Sequence, residues 1–349
     1  MSNVGISLYL SSGFEKNKSI VKKAHKAKVK YVFTSLHIPE ENVENYCDEV
    51  NKLLDLCREY DLKVMVDIGP RTIEKLGFKS IYELKDKSIT HLRVDYGFSL
   101  EEIAELSEEF NVVFNASTLL KEEIKALKKI TGDLYRFGAC HNFYPKPLTA
   151  LSLDKVEKIN KNLEYNGITT MAFVPGDNDM RGPLYQGLPT VESHRNGDVL
   201  LNILQLMKDA NTDIVFIGDV DVTEDTWEKI GHLNEGYIAL KSKIDPKYNY
   251  VKETIHHDRP DSSEYVIRSV ESRTYSCVGE MIENEAVKSR NIGTISIGNK
   301  LYKRYSGEIE IARIDLSEEE RVNIIGSVES DYIKYLPYIK DGMGFKLED

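Results

Sequence analysis

Eight short apolar runs, separated by amphipathic helical stretches, set the strongest limit on what this chain can fold into. The runs are Val4–Leu10, Tyr31–Ser35, Lys63–Ile68, His91–Val94, Val112–Asn115, Leu134–Phe137, Ile168–Val174 and Ile214–Gly218. Between them, residues such as Val43, Tyr46, Val50, Leu53, Leu54 and Cys57 make one stripe, the spacing of a helix with one buried face. Helix starts agree: Ser99 heads a Ser-Leu-Glu-Glu capping box, and Ser152 precedes another helix. Eight strand–helix units in succession predict a (β/α)8 TIM barrel, an α/β fold. A doubly wound open sheet is the alternative, but no Gly-x-Gly-x-x-Gly turn follows the first run.

After Tyr237-Ile238-Ala239-Leu240-Lys241 the pattern changes. Strand-like runs at Tyr265–Val270, Gly293–Ile297, Leu301–Tyr305, Glu308–Ile314 and Val322–Val328 follow, with little helical period. Gly298-Asn299 reads as a hairpin turn. We therefore expect a barrel over residues 1–243 and a small β-rich domain over 244–349.

A formal charge of −11 on 349 residues argues against a nucleic-acid partner, which would want a basic face. A small anionic substrate stays possible, because a few arginines in a cleft reverse the local potential. Cys47 and Cys57 share a predicted helix at about 15 Å, too far to bridge. Cys140 and Cys277 have no metal-ligand spacing, so reduced thiols and a cytoplasmic location are expected. No export signal and no membrane-spanning run are visible, and no membrane partner is expected.

The stretch from Ala172 to Arg195 leaves a buried strand at Pro175-Gly176 and enters a long loop. Three Pro, three Gly and several charged residues lie in this stretch, and loops of such length in compact domains are usually functional or disordered. In a barrel the active site lies at the C-terminal ends of the strands. Those ends carry His37, Asp67, Asp95, Asn115, His141, Asn142, Asp177 and Asp219. A single Asp there could equally be a helix cap; four suggest a carboxylate-lined site. Two chemistries use such a site: Mg²⁺ or Mn²⁺ binding, and glycoside hydrolysis by an acid and a base or nucleophile. Zinc is disfavoured, since the eight His show no paired zinc motif. Tyr96, Asn115, His141, Asn142, Tyr144 and Tyr185 suit sugar hydroxyls. Arg181, His194 and Arg195 together could hold a phosphate or carboxylate, or Arg181 and Arg195 could pair with Asp179 and Glu192 inside the loop.

Several longer motifs resemble a known bacterial family. They are Ser35-Leu36-His37-Ile38-Pro39-Glu40, Leu92-Arg93-Val94-Asp95-Tyr96-Gly97, His141-Asn142-Phe143-Tyr144-Pro145 and Arg181-Gly182-Pro183-Leu184-Tyr185-Gln186-Gly187-Leu188-Pro189-Thr190. They are similar to those of the 6-phospho-N-acetylmuramidases, glycoside hydrolases of cell-wall recycling. The resemblance covers the whole chain and implies a barrel followed by a cyclophilin-like β domain. It also implies a small-molecule substrate, N-acetylmuramic acid 6-phosphate–N-acetylglucosamine, cleaved at its β-1,4 bond in the cytoplasm. No cofactor and no metal are expected. For the catalytic acids the expectation is Asp95 and Asp177, with Asp219 and then Asp67 as rivals. Arg268, Arg273, Arg290 and Arg304 of the second domain are candidates to close the cleft, Arg273 foremost as a substrate ligand, making the enzyme exo-acting. The competing classes are a metal-dependent phosphosugar lyase or isomerase and a non-catalytic phosphosugar-binding protein.

Overall fold

The computed structural model describes residues 3–36, 46–69, 72–76, 78–94, 97–272 and 282–349. The chain divides into two compact units, Ser2–Asn234 and Glu235–Asp349. The division falls before the expected 243/244 junction, because Tyr237–Ile244 is a strand of the second unit's sheet.

In the first unit eight parallel strands close into a barrel in chain order. They are β1 (Val4–Ser7), β2 (Tyr31–Ser35), β3 (Lys63–Ile68), β4 (Ile89–Val94), β5 (Asn111–Asn115), β6 (Phe137–Cys140), β7 (Thr169–Val174) and β8 (Ile214–Ile217). Helices α1 (Phe14–Lys26), α2 (Tyr46–Glu59), α3 (Thr72–Lys75), α4 (Leu100–Leu106), α5 (Lys121–Thr131), α6 (Leu153–Tyr165), α7 (Val199–Leu204) and α8 (Glu224–Glu235) connect them. Helix α2 buries Val50, Leu53, Leu54 and Cys57, the stripe that its spacing predicts. The Ser99–Glu102 capping box forms, and Ser152 caps α6 through the Lys155 N–H. Cys57 and Cys140 are buried free thiols. Strand β6 begins three residues later than expected, at Phe137, because Leu134–Arg136 turns into it. Its Gly-Ala-Cys sequence lacks branched residues, so it carries no strand signature.

The barrel interior is a packed plug of Phe33, Met65, Val113, Cys140, Met171, Phe173, Ile214 and Phe216, with Phe143 against it. Phe143 meets Phe173 and Phe33 edge to face, its ring 5.1 Å from the first and 6.4 Å from the second. Truncating one such ring costs about 3–5 kcal/mol. Side chains alternate in and out along a strand. The next inward positions after this plug therefore form the mouth: Asp67 after Met65, Asn142 after Cys140, and Arg93 beside Asp67 in register.

The second unit is a seven-stranded mixed sheet in the order β10-β15-β9-β14-β12-β13-β11. Its strands are β9 (Tyr237–Ile244), β10 (His256–His257), β11 (Val266–Arg268), β12 (Thr294–Gly298), β13 (Ile309–Ala312), β14 (Val322–Val328) and β15 (Gly344–Glu348). The Leu301–Tyr305 run, expected as a strand, is a 3₁₀ segment, Lys300–Tyr305. Buried Asn299 accepts from the Leu301 N–H and starts the helical turn. Strand β12 does form a hairpin, but with β13 and across this longer connection. No helix among the described residues is long and apolar enough to cross a membrane.

Candidate active site

Tyr9, Asp67, Arg93 and Asn142 meet at the C-terminal end of the barrel, beside Arg181 of the β7–β8 loop. Arg93 Nη1 donates to Asp67 at 3.0 Å, and its Nη2 donates to the Asn142 side-chain oxygen. Asp67 keeps 24% of its side chain exposed while Arg93 keeps 10%, so the carboxylate is the more accessible of the two. The buried Tyr9 hydroxyl donates to the Gly218 carbonyl. Burial, foremost, raises its pKa well above the ordinary phenol range; the charges of Arg181, Asp219 and Asp67 all act on it. The Arg181 guanidinium lies over the Tyr9 ring, 4.0 Å from its centroid, a favourable cation–π geometry.

The loop after β7 is ordered by one buried carboxylate. Asp219, just past β8 and fully buried, accepts the backbone N–H groups of Gly176 (2.9 Å), Arg181 (2.9 Å) and Leu188 (3.0 Å). Burial pushes its carboxyl above the usual carboxylate range, and the three N–H donors and the Arg181 charge pull it back. Gly176 permits this approach, since a Cβ there would sit 2.6 Å from the Asp221 carbonyl oxygen. Asp219 thus holds both ends of the 176–188 segment and places Arg181. Beside Arg181 opens a cleft of 510 Å³, lined also by Ser11, Ser12, Lys16, Pro183 and Tyr185. Lys16 pairs with Asp179 at 3.1 Å on its wall. The cleft therefore offers two cations near an ion-paired carboxylate, a geometry suited to an anionic substrate.

The other expected site residues separate into distinct places. His37, Asp95 and Arg273 lie outside the described residues. Asp177 turns to the start of helix α8: its carboxylate accepts the Thr223 N–H at 2.7 Å and the Thr226 hydroxyl at 2.6 Å, and so holds Thr223, which caps the helix through the Thr226 N–H. Asp221 accepts from Lys23 and the Trp227 indole. The expected Arg181–His194–Arg195 anion site does not assemble. Arg195, 7% exposed, bonds both oxygens of Glu192 and the carbonyls of Gln186, Gly187, Tyr144 and Lys146. That arrangement is the in-loop pairing, and it spends the guanidinium on loop structure. His194 is buried against Gln205 at 3.0 Å, and burial pushes its imidazole down to about 4. His141 is also fully buried, facing away from the mouth to Asn160 of α6 at 2.9 Å, and burial lowers its pKa. Its neighbour Asn142 points in, as alternation requires. Asn115 accepts the Ser117 N–H and closes its own turn. Tyr185 is 65% exposed on the cleft. Tyr9 and Arg93 were not singled out from sequence. The parity of Arg93 with Asp67 across the β3–β4 register was the signal that could have found it. Among the described residues, no three His, Cys, Asp or Glu side chains form a set able to hold a metal ion.

Comparison with known proteins bears on what this site does. A conserved Enterococcus faecalis protein of unknown function, known from a crystal structure, is 32% identical. The match has a TM-score of 0.77 and covers 99% of this chain and 96% of that one. An uncharacterised B. cereus protein is 23% identical, with a TM-score of 0.75 and full coverage of both chains; at that identity it supports the fold alone. No curated protein gives a significant match. Two family models, described as 6-phospho-N-acetylmuramidase N-terminal and C-terminal, match residues 4–232 and 237–348. With both halves matched in order, the chain belongs to the 6-phospho-N-acetylmuramidase family.

Proposed function

We propose that the protein is an exo-acting glycosidase that hydrolyses the β-1,4 bond of N-acetylmuramic acid 6-phosphate–N-acetylglucosamine in the cytoplasm, in cell-wall recycling. The observation that carries this reading is the carboxylate Asp67 at the barrel mouth, close to a cleft whose walls bear Arg181 and Lys16. Glycoside hydrolysis needs one group to protonate the leaving oxygen and another to act as base or nucleophile. In its ion pair with Arg93, Asp67 fits the second role, because a guanidinium favours the charged carboxylate. Asp95, directly after β4 in sequence, is the proton donor in this proposal. Asp219 is a positioning residue, since its oxygens are committed to backbone N–H groups and it lies out of solvent. Arg181 binds the substrate's phosphate or lactyl carboxylate, with Tyr9 beneath it and Lys16 nearby.

The test offers purified protein the phosphorylated disaccharide and its unphosphorylated parent, each with and without EDTA, and follows products by mass spectrometry. Cleavage of the phosphorylated sugar alone, unaffected by EDTA, is expected. Absence of cleavage would abandon the hydrolase reading, and EDTA sensitivity would replace it with a metal-dependent one.

A further inference from the structure

The second unit contains a cavity of its own, 370 Å³ in volume, formed entirely by residues of that unit. Its floor is one face of the sheet. Arg268 of β11 stands beside Glu310 of β13 in register, and Glu308 lies two positions before Glu310, on the same side by alternation. Its wall is the 3₁₀ segment Lys300–Tyr305, which brings Tyr302 and Tyr305 over these charges. The two rings lie 6.4 Å apart and nearly perpendicular. Gly298 makes the fold-back possible, because a Cβ there would meet the Tyr305 carbonyl oxygen at 2.5 Å.

Most charges around the cavity have partners. Glu310 pairs with Arg290 at 3.1 Å, and Arg259 and Arg268 both reach Asp261. Glu308 differs. Only 8% exposed, it lines the cavity, and its Oε1, enclosed by the protein, has no hydrogen-bond partner. A buried carboxylate with an unmade acceptor is costly, and a hydroxyl donated to Glu308 from the cavity would relieve part of that cost. A strongly charged ligand would meet both signs within one small space. A neutral ring with hydroxyls that donate and accept, and with apolar faces for tyrosine, meets no such conflict.

We propose that this pocket binds a neutral saccharide, one hydroxyl donating to Glu308, another accepting from Arg268, and the ring face resting on Tyr302 or Tyr305. The proposal is independent of the barrel's activity, and its test involves no hydrolysis. Full-length protein is titrated with methyl β-glucoside and with N-acetylglucosamine, and binding is read by saturation-transfer NMR. The same titration is run on a protein carrying Asp67→Asn and Arg181→Ala together, to silence the barrel mouth. Saturable binding that survives in the double variant is expected. Glu308→Gln, which keeps the side-chain shape, should weaken it about tenfold. Tyr302→Ala should weaken it comparably, and Tyr302→Phe should leave it intact. Thermal melts confirm that each variant is folded; if Tyr302→Ala unfolds, Glu308→Gln decides. No saturable binding by either sugar would overturn the proposal. So would binding that Glu308→Gln leaves unchanged, or displacement of the sugar by free alanine, which would assign the pocket to zwitterions.

Discussion

Replacing Arg195 with Ala separates a loop-building arginine from a substrate-binding one. In the structure the five N–H groups of its guanidinium reach six acceptors: both oxygens of Glu192 at 2.7 and 2.8 Å, and the carbonyls of Gln186, Gly187, Tyr144 and Lys146 at 3.0–3.4 Å, with one Nη2 hydrogen shared. Bonds to a charged group contribute roughly 1.5–3 kcal/mol each, but not additively. After truncation Glu192 keeps the Leu148 and Ala150 N–H groups and 27% side-chain exposure, so water relieves part of the loss. Breaking a buried ion pair from one side costs about 3–5 kcal/mol, and the lower half of that range, about 3–4 kcal/mol, fits this partly wet partner. For a unit of this size each kcal/mol moves Tm by about 2–4 °C, which predicts a fall of roughly 6–16 °C by calorimetry on the full chain. Arg195→Lys restores the charge without the fork and should recover only part of it. The same pair has a pH signature. Arg195, chiefly, lowers the Glu192 carboxyl to about 2, below its ordinary value near 4.5. A depressed carboxylate contributes stability above its unfolded pKa and loses it as pH falls toward the folded one. The wild-type protein should therefore lose this contribution between about pH 4.5 and 2, and Arg195→Ala should flatten that limb. A Tm change under about 2 °C, together with a tenfold higher KM for the phosphorylated sugar, would refute the reasoning and return Arg195 to the anion site.

Three further outcomes follow from the site. Asp67→Asn should lower kcat by about a thousandfold or more in a steady-state assay on the phosphorylated disaccharide, with a fall in Tm from the lost charge beside Arg93 but a folded protein at the assay temperature; retained turnover would move the chemistry elsewhere. Arg181→Ala should raise KM about 10–100-fold with kcat within a few-fold, and the loss should shrink for a substrate lacking the phosphate or the lactyl group that it binds. Asp177→Ala should cost about 1–3 kcal/mol in denaturant unfolding, as the loss of hydrogen bonds to a charged group does, while kcat stays unchanged; a collapse of kcat in the folded variant would restore Asp177 as a catalytic acid.

The periodicity of apolar residues, which is local, determined the barrel. The stripe Val50, Leu53, Leu54, Cys57 and the caps at Ser99 and Ser152 needed no knowledge of distant parts of the chain. The β7 strand and the long loop after it were legible for the same reason. Strand β6 was misplaced by three residues because small interior residues carry no strand signature, and Lys300–Tyr305 has the composition of a strand but follows a buried capping Asn.

Within the site, composition could only nominate; tertiary structure chose. His141 and Asn142 are neighbours, and alternation sends one to Asn160 and the other to Arg93. Arg181 and Arg195 lie in one loop, yet the first covers Tyr9 beside a cleft and the second is enclosed by carbonyls. Asp177 and Asp219 both follow barrel strands, but one meets the start of α8 and the other the loop's backbone N–H groups. The sequence by itself determined the architecture and the family, because periodicity and contiguous motifs are written along the chain. Which polar side chain faces the mouth, and which is spent on holding the loop, depends on partners tens of residues away, and only the folded chain brings those together.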